Sequence, residues 1–312
     1  MADRSSRGRN LMTEKRNVLI VGYGEMGHAM QYLLGERHHL SIFDLRSIDG
    51  LAPINIEQEA ACADFILFCI PTQQLEPMLE RLVPHLQKQA ICLSISKGLD
   101  DLGRTPAQVY EQTAHRSLLY CLLYGPMISE EIRAGRFAFA ELGCSDEAIF
   151  DDIKSLYQGS ALGIRKSDDI TGISWSVILK NVYAIAFGAA DELGLGDNVR
   201  GFLTVSALQE LSSIMKRMGG KASTPLHLSG LGDLITTATS KGSHHHELGI
   251  RLARGETKDI SGEGIHTLSM VGKYELFDIS SYPLFDLTHE RWTPQLVVFL
   301  LLRKPTELRN ES

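Results

Sequence analysis

The sequence predicts an α/β protein with an N-terminal Rossmann-type, doubly wound sheet and a C-terminal all-helical domain. Near the start, a short apolar run is followed by a glycine turn and an amphipathic segment, the order found in a βαβ unit. Short strand-like and helical segments then alternate through the first half, which favours a parallel sheet. Beyond about Lys166 only helical patterns occur. We therefore expect a flexible tail at 1–16, an α/β domain at 17–166 and a helical domain at 167–312.

Short apolar runs that are rich in β-branched or aromatic residues predict the strands. These runs are 17–21, 39–43, 65–70, 90–95 and 118–123, with two weaker ones near 137–141 and 162–165. Apolar residues at helical spacing predict the helices. These segments are 73–85, 170–192, 199–218, 246–254, 264–277 and 283–302.

The glycine turn after the first strand fits the dinucleotide fingerprint, because it lies between a strand and a helix. It reads Gly22-Tyr23-Gly24-Glu25-Met26-Gly27. The first glycine allows the tight turn, the second lets the backbone approach a pyrophosphate, and the third lets the helix pack on the strand. The helix N-terminus then faces the phosphate oxygens. A glycine turn in some other α/β protein is the alternative.

The second predicted strand ends at Asp44, about 20 residues after the glycine turn, where an acid accepts hydrogen bonds from the ribose hydroxyls. A carboxylate at this place repels a 2′-phosphate, so NAD is favoured over NADP. NADP remains possible, because Arg46 could weaken this preference if it points inward.

The predicted helix 170–192 is nearly apolar but carries Lys180 and Asn181 near its centre. Burying an unpaired ammonium is costly, and desolvation lowers a lysine pKa toward neutrality, which suits proton transfer. The alternative is a lysine whose charged end reaches water at the helix edge. The neighbours at helical spacing, Val177, Tyr183 and Ala184, are largely apolar and favour the functional interpretation.

Three loops follow predicted strands at the carboxyl edge of the sheet, where ligands bind in such folds. The first contains Pro71, the second contains Lys97, and the third runs from Gly125 to Glu131. Lys97 brings a second positive charge toward the expected cleft. A solvated loop lysine is the alternative.

Composition excludes several classes of protein. The chain has 312 residues, 44% hydrophobic and 22% charged, with a net charge of −7, which argues against nucleic acid as a main partner. No apolar run reaches the roughly 20 residues that a membrane helix needs. The five cysteines show no CxxC spacing, so we expect reduced thiols in the cytoplasm and no metal site.

Six motifs, between residue 17 and about 275, together resemble the bacterial-type NAD(P)-dependent glycerol-3-phosphate dehydrogenase family. They read GYGEMG, SKGL, YGPMISEE, ILKNVYAIAFGAADELGLGDN, GLGDLITTATS and SGEGIHT. The resemblance implies a cytoplasmic homodimer that reduces dihydroxyacetone phosphate to sn-glycerol 3-phosphate. It also implies that the helical domain serves substrate binding and dimerisation.

The resemblance assigns roles by position. The catalytic residues implied are Lys180, Asp233 and Lys97. The cofactor contacts implied, besides the glycine turn and Asp44, are Pro71, Lys97, Ser129, His244 and Glu263. The substrate contacts implied are Lys97, Gly125, Met127, Lys180, Asn181, Asp233, Thr237, Ser243, His244 and His245. For Asp233, a helix N-cap after two glycines is the alternative.

Three departures from the family pattern concern the phosphate end of the substrate. Met127 stands where the family has Ser or Thr, the pair His244 and His245 replaces Arg-Asn, and His266 replaces an arginine. Imidazole is mostly neutral above a pH of about 6.5, whereas guanidinium is always charged. We therefore expect weak phosphate binding at pH 8 that improves toward pH 6.

Alternatives remain open for the histidines and for the function. The run of three histidines could also be a solvated loop or part of a metal site, although adjacent histidines do not easily converge on one ion. The enzyme could act on another small hydroxy compound. A third possibility is a non-catalytic NAD-binding redox sensor, against which the two lysines argue.

Overall fold

The computed structural model describes residues 14–113, 118–240, 242–256 and 261–287. Most of the predicted tail and of the predicted helix 283–302 lie outside these ranges. The other elements expected from the sequence are described, and most begin and end within a few residues of their predicted limits.

Seven strands of the described chain form one sheet in the order β2-β1-β3-β4-β5-β6-β7. The first five run parallel. The strands are β1 (Asn17–Val21), β2 (His39–Phe43), β3 (Phe65–Phe68), β4 (Ile91–Ser94), β5 (Leu119–Tyr124), β6 (Ala138–Gly143) and β7 (Leu162–Ser167).

The last two strands depart from the parallel arrangement of the first five. Strand β6 is antiparallel to β5, and β7 is parallel to β6. A parallel connection needs a crossover to the opposite edge of the sheet. The connection after β5 stays at the carboxyl edge instead, because the N–H of Phe139 donates to the carbonyl of Pro126 at 3.3 Å. Strand β6 therefore starts where β5 ends and runs back.

Apolar side chains alternate between the two faces of the sheet, as the strand pleat requires. In β1, Leu19 and Val21 join one core cluster, whereas Val18 and Ile20 join the other. Both faces are therefore buried. The first cluster continues into the helical half of the chain, so the sheet and the helices share one core.

Twelve α-helices are present in the described ranges. Those of the first half are α1 (Glu25–Leu34), α2 (Ile56–Cys62), α3 (Leu75–Leu82), α4 (Pro106–Thr113), α5 (Ser129–Arg133) and α6 (Glu147–Leu156). Those of the second half are α7 (Ile170–Glu192), α8 (Asp197–Arg217), α9 (Asp233–Thr239), α10 (His244–Ala253), α11 (Glu263–Tyr274) and α12 (Pro283–Leu287).

Helix α7 is the central element of the second half. It begins three residues after β7 ends, with Asp169 as N-cap, whose side chain accepts the N–H of Gly172 at 2.9 Å. Nineteen consecutive residues, 172–190, are buried, which explains why the segment is apolar all round rather than amphipathic. Helices α8, α9, α10 and α11 pack around it.

By length and composition alone, α7 could also cross a membrane, although Lys180 and Asn181 interrupt its apolar run. In this fold, 89% of its most apolar window is buried inside the protein. Its composition is therefore that of a core helix.

Candidate active site

A cavity of about 480 Å³ lies between the carboxyl edge of the sheet and the helices α7, α9 and α10. Its volume falls in the usual range for small-molecule sites. Most of the site residues predicted from the sequence line it: Gly24, Glu25, Met26, Pro71, Lys97, Met127, Ser129, Lys180, Asn181, Asp233, Thr237, Ser243, His244, His245 and Glu263.

The glycine turn has the geometry that a pyrophosphate requires. Gly22 has a φ of +94°, which favours glycine. A Cβ on Gly27 would lie 2.2 Å from the carbonyl oxygen of Gly22, so only glycine fits at this position in the first turn of α1. A Cβ on Gly24 would meet no protein atom within 4 Å, which leaves its outer side open to a ligand. These residues fit a dinucleotide.

Asp44 lies directly beyond β2 and its carboxylate is held by the backbone. It accepts the N–H of Tyr23 at 2.8 Å and the N–H of Arg46 at 2.9 Å. Partial burial opposes ionisation, but these donors hold the pKa of Asp44 below its ordinary value. The Arg46 side chain is 89% exposed, and its Nε lies 3.8 Å from the Asp44 carboxylate, so a positive charge stands beside the predicted ribose site.

Three charged side chains meet at the head of the cavity, from three different elements. The Asp233 carboxylate lies 2.7 Å from the Lys97 ammonium and 3.1 Å from the Lys180 ammonium. The hydroxyl of Thr237 also contacts the Lys180 ammonium. Lys180 is 4% exposed, which rules out the alternative of a lysine that reaches water.

Burial and the charge of the partner act in opposite directions on the pKa values of Lys180 and Asp233. Burial lowers the pKa of Lys180 to about 8, against the attraction of Asp233 and with the repulsion of Lys97. Burial alone would raise the pKa of Asp233, but the two ammonium groups hold it below its ordinary value. At neutral pH, Asp233 is thus a carboxylate and Lys180 can release a proton.

Asp233 does not cap its helix. Gly232 occupies the N-cap position of α9, with no capping bond from a side chain, and the segment before it is a π-helical turn. The alternative of a helix N-cap is therefore wrong. The carboxylate is directed at the two lysines instead.

Asn181 and Glu263 form a second polar pair in the cavity. The amide nitrogen of Asn181 donates to the Glu263 carboxylate at 3.1 Å. Burial raises the pKa of Glu263, while the nearby Lys97 and Lys180 oppose this shift. The Glu263 side chain also covers Gly98, whose added Cβ would lie 3.8 Å from the Cβ and Cγ of Glu263, so Glu263 lies against the loop that carries Lys97.

Buried hydrogen bonds hold the loop of Lys97 to its neighbours. The hydroxyl of Tyr124, at the end of β5, donates to the carbonyl of Ser96 at 2.7 Å. The hydroxyl of Ser96 donates to the carbonyl of Ile70 at 2.6 Å, and Thr72 donates to the carbonyl of Gly98 at 3.2 Å. Three loops at the carboxyl edge are therefore joined around one lysine.

Both halves of the chain match family models of one dehydrogenase. Residues 49–150 match the N-terminus of NAD-dependent glycerol-3-phosphate dehydrogenase, and residues 169–290 match its C-terminus. A glycerol-3-phosphate dehydrogenase [NAD(P)+] of Agrobacterium fabrum is 30% identical over 274 residues, 80% of this chain and 83% of that protein. The chain belongs to the NAD-dependent glycerol-3-phosphate dehydrogenase family.

Other relatives and solved structures agree with this membership. A glycerol-3-phosphate dehydrogenase [NAD(P)+] of Nitratidesulfovibrio vulgaris strain DP4 is 29% identical, covering 94% of this chain and 99% of its own. The crystal structure of the glycerol-3-phosphate dehydrogenase of Coxiella burnetii superposes with a TM-score of 0.81 at 22% identity, covering 93% of this chain and 99% of its own. At that identity the structural likeness shows the fold.

The three consecutive histidines of this dehydrogenase-family chain have three different environments. The Nε2 of His244 lies 3.1 Å from the carbonyl oxygen of Ser261. The Nδ1 of His245 is buried in the cavity wall with no hydrogen-bond partner among the described residues. The Nε2 of His246 lies 2.6 Å from the Asp191 carboxylate. The described residues contain no group of three or more His, Cys, Asp or Glu arranged to hold a metal ion.

The predicted gain in phosphate binding between pH 8 and pH 6 is wrong for His245. Burial and the charges of Lys180 lower the pKa of His245 to about 3, so its imidazole stays neutral throughout that range. A neutral ring can still donate one hydrogen bond. His245 therefore contributes shape and a polar contact rather than charge.

The other two departures from the family pattern differ in position. Met127 is buried and lines the cavity, so its thioether stands where a hydroxyl is expected. His266 does not line the cavity; its Nε2 lies 3.6 Å from the Asp101 carboxylate. The replacement of the family's arginine by His266 therefore does not change the residues that line the cavity.

Several predicted site residues lie outside the cavity wall. The glycine turn and the predicted ribose site are formed by Gly22, Tyr23, Gly27 and Asp44. Gly125, with a φ of +157°, lies against β6. Sequence reasoning missed Thr236 and Ser240, which line the cavity. They follow Asp233 by three and seven residues, so helical spacing alone could have placed them on its face.

Proposed function

We propose that this protein is a cytoplasmic NAD-dependent oxidoreductase that interconverts dihydroxyacetone phosphate and sn-glycerol 3-phosphate. The Lys97–Asp233–Lys180 cluster, at the head of a cavity that reaches the glycine turn, carries the proposal. Glycerol-3-phosphate dehydrogenase relatives that cover most of the chain support the substrate.

The arrangement suits carbonyl reduction. When bound, a reduced nicotinamide would supply a hydride to the carbonyl carbon, and the carbonyl oxygen would then need charge stabilisation and a proton. The Lys180 ammonium can donate that proton, because burial lowers its pKa to about 8. Asp233 holds Lys180 and Lys97 in place, and Lys97 adds a second positive charge beside the developing alkoxide. In the reverse direction, neutral Lys180 accepts the proton from the alcohol.

Two residues at the predicted phosphate end of the cavity favour a second class of substrate. Met127 cannot donate a hydrogen bond and His245 is neutral, so a small unphosphorylated hydroxy compound is the competing substrate. NADH oxidation measured with dihydroxyacetone phosphate and with dihydroxyacetone decides between the two. A lack of turnover with any ketone, at normal NADH binding, would instead support a redox sensor.

We also propose that the protein is a homodimer in the reducing cytoplasm. All five cysteines are unpaired, and three of them are buried, which fits a reducing compartment. Light scattering coupled to gel filtration measures the state: a mass near twice 34.5 kDa is expected, and a single-chain mass contradicts the dimer.

NADH is expected to bind more tightly than NADPH, because the Asp44 carboxylate accepts ribose hydroxyls and repels a 2′-phosphate. Asp44→Ala should lower the ratio of the NADPH dissociation constant to the NADH dissociation constant by roughly tenfold. This corresponds to the loss of one charge contact worth about 1.4 kcal/mol. Cofactor titrations by fluorescence measure both constants. Asp49→Ala removes the same charge from an exposed position nearby and should leave the ratio unchanged. Equal affinities in the unmodified protein would contradict the preference.

The pH dependence should follow Lys180. Reduction needs the ammonium as proton donor, so kcat/KM for the ketone should be level below a pH of about 8 and fall above it. Oxidation needs the neutral amine, so kcat/KM for the alcohol should rise up to the same pH and level off above it. Initial rates between pH 6 and 10 in both directions measure this. Parallel profiles in the two directions would assign the proton to another group.

A further inference from the structure

His246 is the one histidine of the run that the proposed function does not use. Its imidazole turns away from the cavity and contacts the Asp191 carboxylate at the end of α7, with Nε2 to oxygen at 2.6 Å. The ring is largely buried. It therefore joins the first turn of α10 to α7 at the level of the cavity.

Asp191 is itself held in place. The Nε of Arg200, in the first turn of α8, donates to one oxygen of Asp191 at 2.6 Å, and its Nη2 contacts the other oxygen. A guanidinium that holds both oxygens of a carboxylate fixes the plane of that carboxylate. His246 thus contacts an anchored group, which joins the end of α7 and the start of α8 to the start of α10.

The backbones of α7 and α10 touch at the same level. A Cβ on Gly188 would lie 1.9 Å from the carbonyl oxygen of His246, and a Cβ on Gly249 would lie 2.0 Å from the carbonyl oxygen of Ile185. These contacts set the distance between the helices and keep the glycine face of α10 toward α7. The bond from His246 to Asp191 adds a side-chain anchor at the first turn of α10, which keeps that turn from rotating or shifting.

Rotation of α10 would move the cavity wall. His244 and His245 precede His246 in the same turn, and both line the cavity. Consecutive helical residues point about 100° apart, so holding one ring against α7 directs its two neighbours elsewhere. We propose that His246 is a positioning residue, which sets α10 through Asp191 and so places His244 and His245 against the substrate. The choice of substrate rests on the proposed function; the anchoring does not.

Three variants at position 246 test the proposal. His246→Ala should raise KM for dihydroxyacetone phosphate on the order of tenfold, because misplacing a contact by about 1 Å costs ten- to a hundredfold. The kcat should stay within about twofold, since Lys97, Lys180 and Asp233 lie on other elements. His246→Gln should restore most of the KM, because its amide nitrogen can occupy the place of Nε2. His246→Asn is too short to reach Asp191 and should behave like the alanine variant.

A second ion pair between the same helices is the matched control. The guanidinium of Arg254, at the end of α10, contacts Glu192 of α7 at 2.9 and 3.0 Å. Arg254→Ala should leave both kinetic constants unchanged, because this pair lies at the far end of α10. An equal rise of KM in this variant would overturn the positioning role in favour of general loosening of α10.

Hydrogen exchange gives a readout that needs no turnover. His246→Ala should speed amide exchange in the first half of α10, and His246→Gln should slow it again. If the unmodified protein does not reduce dihydroxyacetone phosphate, the proposed function fails and the exchange data alone decide the anchoring. Unchanged exchange in His246→Ala, an unchanged KM in an active enzyme, or a glutamine variant no better than alanine would each overturn the inference.

Discussion

Lys180→Ala is expected to lower kcat/KM for dihydroxyacetone phosphate by roughly 10²-fold or more, the range for loss of a general acid–base group. The alanine variant removes the ammonium that lies 3.1 Å from Asp233 at the head of the cavity. NADH affinity should change little, because the glycine turn and Asp44 are formed by other elements. Steady-state rates and NADH titrations measure the two effects separately.

Two further variants sharpen this test. Lys180→Arg keeps the positive charge but cannot release a proton at any accessible pH, so it should stay nearly as slow as the alanine variant. Lys216→Ala removes an exposed lysine from α8 and should leave the rate unchanged. Near-normal turnover in Lys180→Ala would move the proton donor elsewhere, with Lys97 the next candidate.

Asp233→Asn is expected to reduce activity by a comparable factor, roughly 10²-fold, and to destabilise the protein. The variant keeps the shape of the side chain but leaves the buried ammonium of Lys180 and the partly buried ammonium of Lys97 without their carboxylate. Removing one partner of a buried ion pair typically costs about 3 kcal/mol or more. The pKa of Lys180 should also fall below about 8, since Asp233 raises it more than any other group does.

The measurements for Asp233→Asn are denaturant unfolding and the pH profile of reduction. The alkaline fall in kcat/KM should move to lower pH than in the unmodified enzyme. Asp168→Asn breaks an exposed pair with Lys221 and is the control, for which no change in rate or stability is expected. An unchanged pH profile together with full stability would mean that Asp233 does not hold the two lysines.

Local pattern was enough to predict most of the fold. The limits of β1 and β2 agree with the prediction to the residue, because each is a short apolar run between turn residues. The glycine turn was equally clear, since only glycine allows the backbone of Gly22 and the close contact at Gly27. The burial of Lys180 also followed from sequence, because its neighbours in the helix are largely apolar.

The pattern of apolar residues also predicted helix α7, but it did not predict which elements pack around that helix. A helix that is apolar all round must be buried on every side, and this can be predicted from its sequence. Which helices cover it depends on contacts between distant residues, such as that of Gly188 with His246. Periodicity within a segment carries no information about such partners.

The sequence by itself determined the fold class, the order of the strands and helices, the glycine turn and the identity of the two lysines. Only the tertiary structure decided the direction of β6, the pairing of Asp233 with Lys97, 136 residues away, and the different partners of the three histidines. The physical reason is the distance along the chain over which each kind of interaction acts. Backbone propensity and side-chain periodicity act over one or two turns, whereas ion pairs, desolvation and strand direction depend on which distant segments share the core.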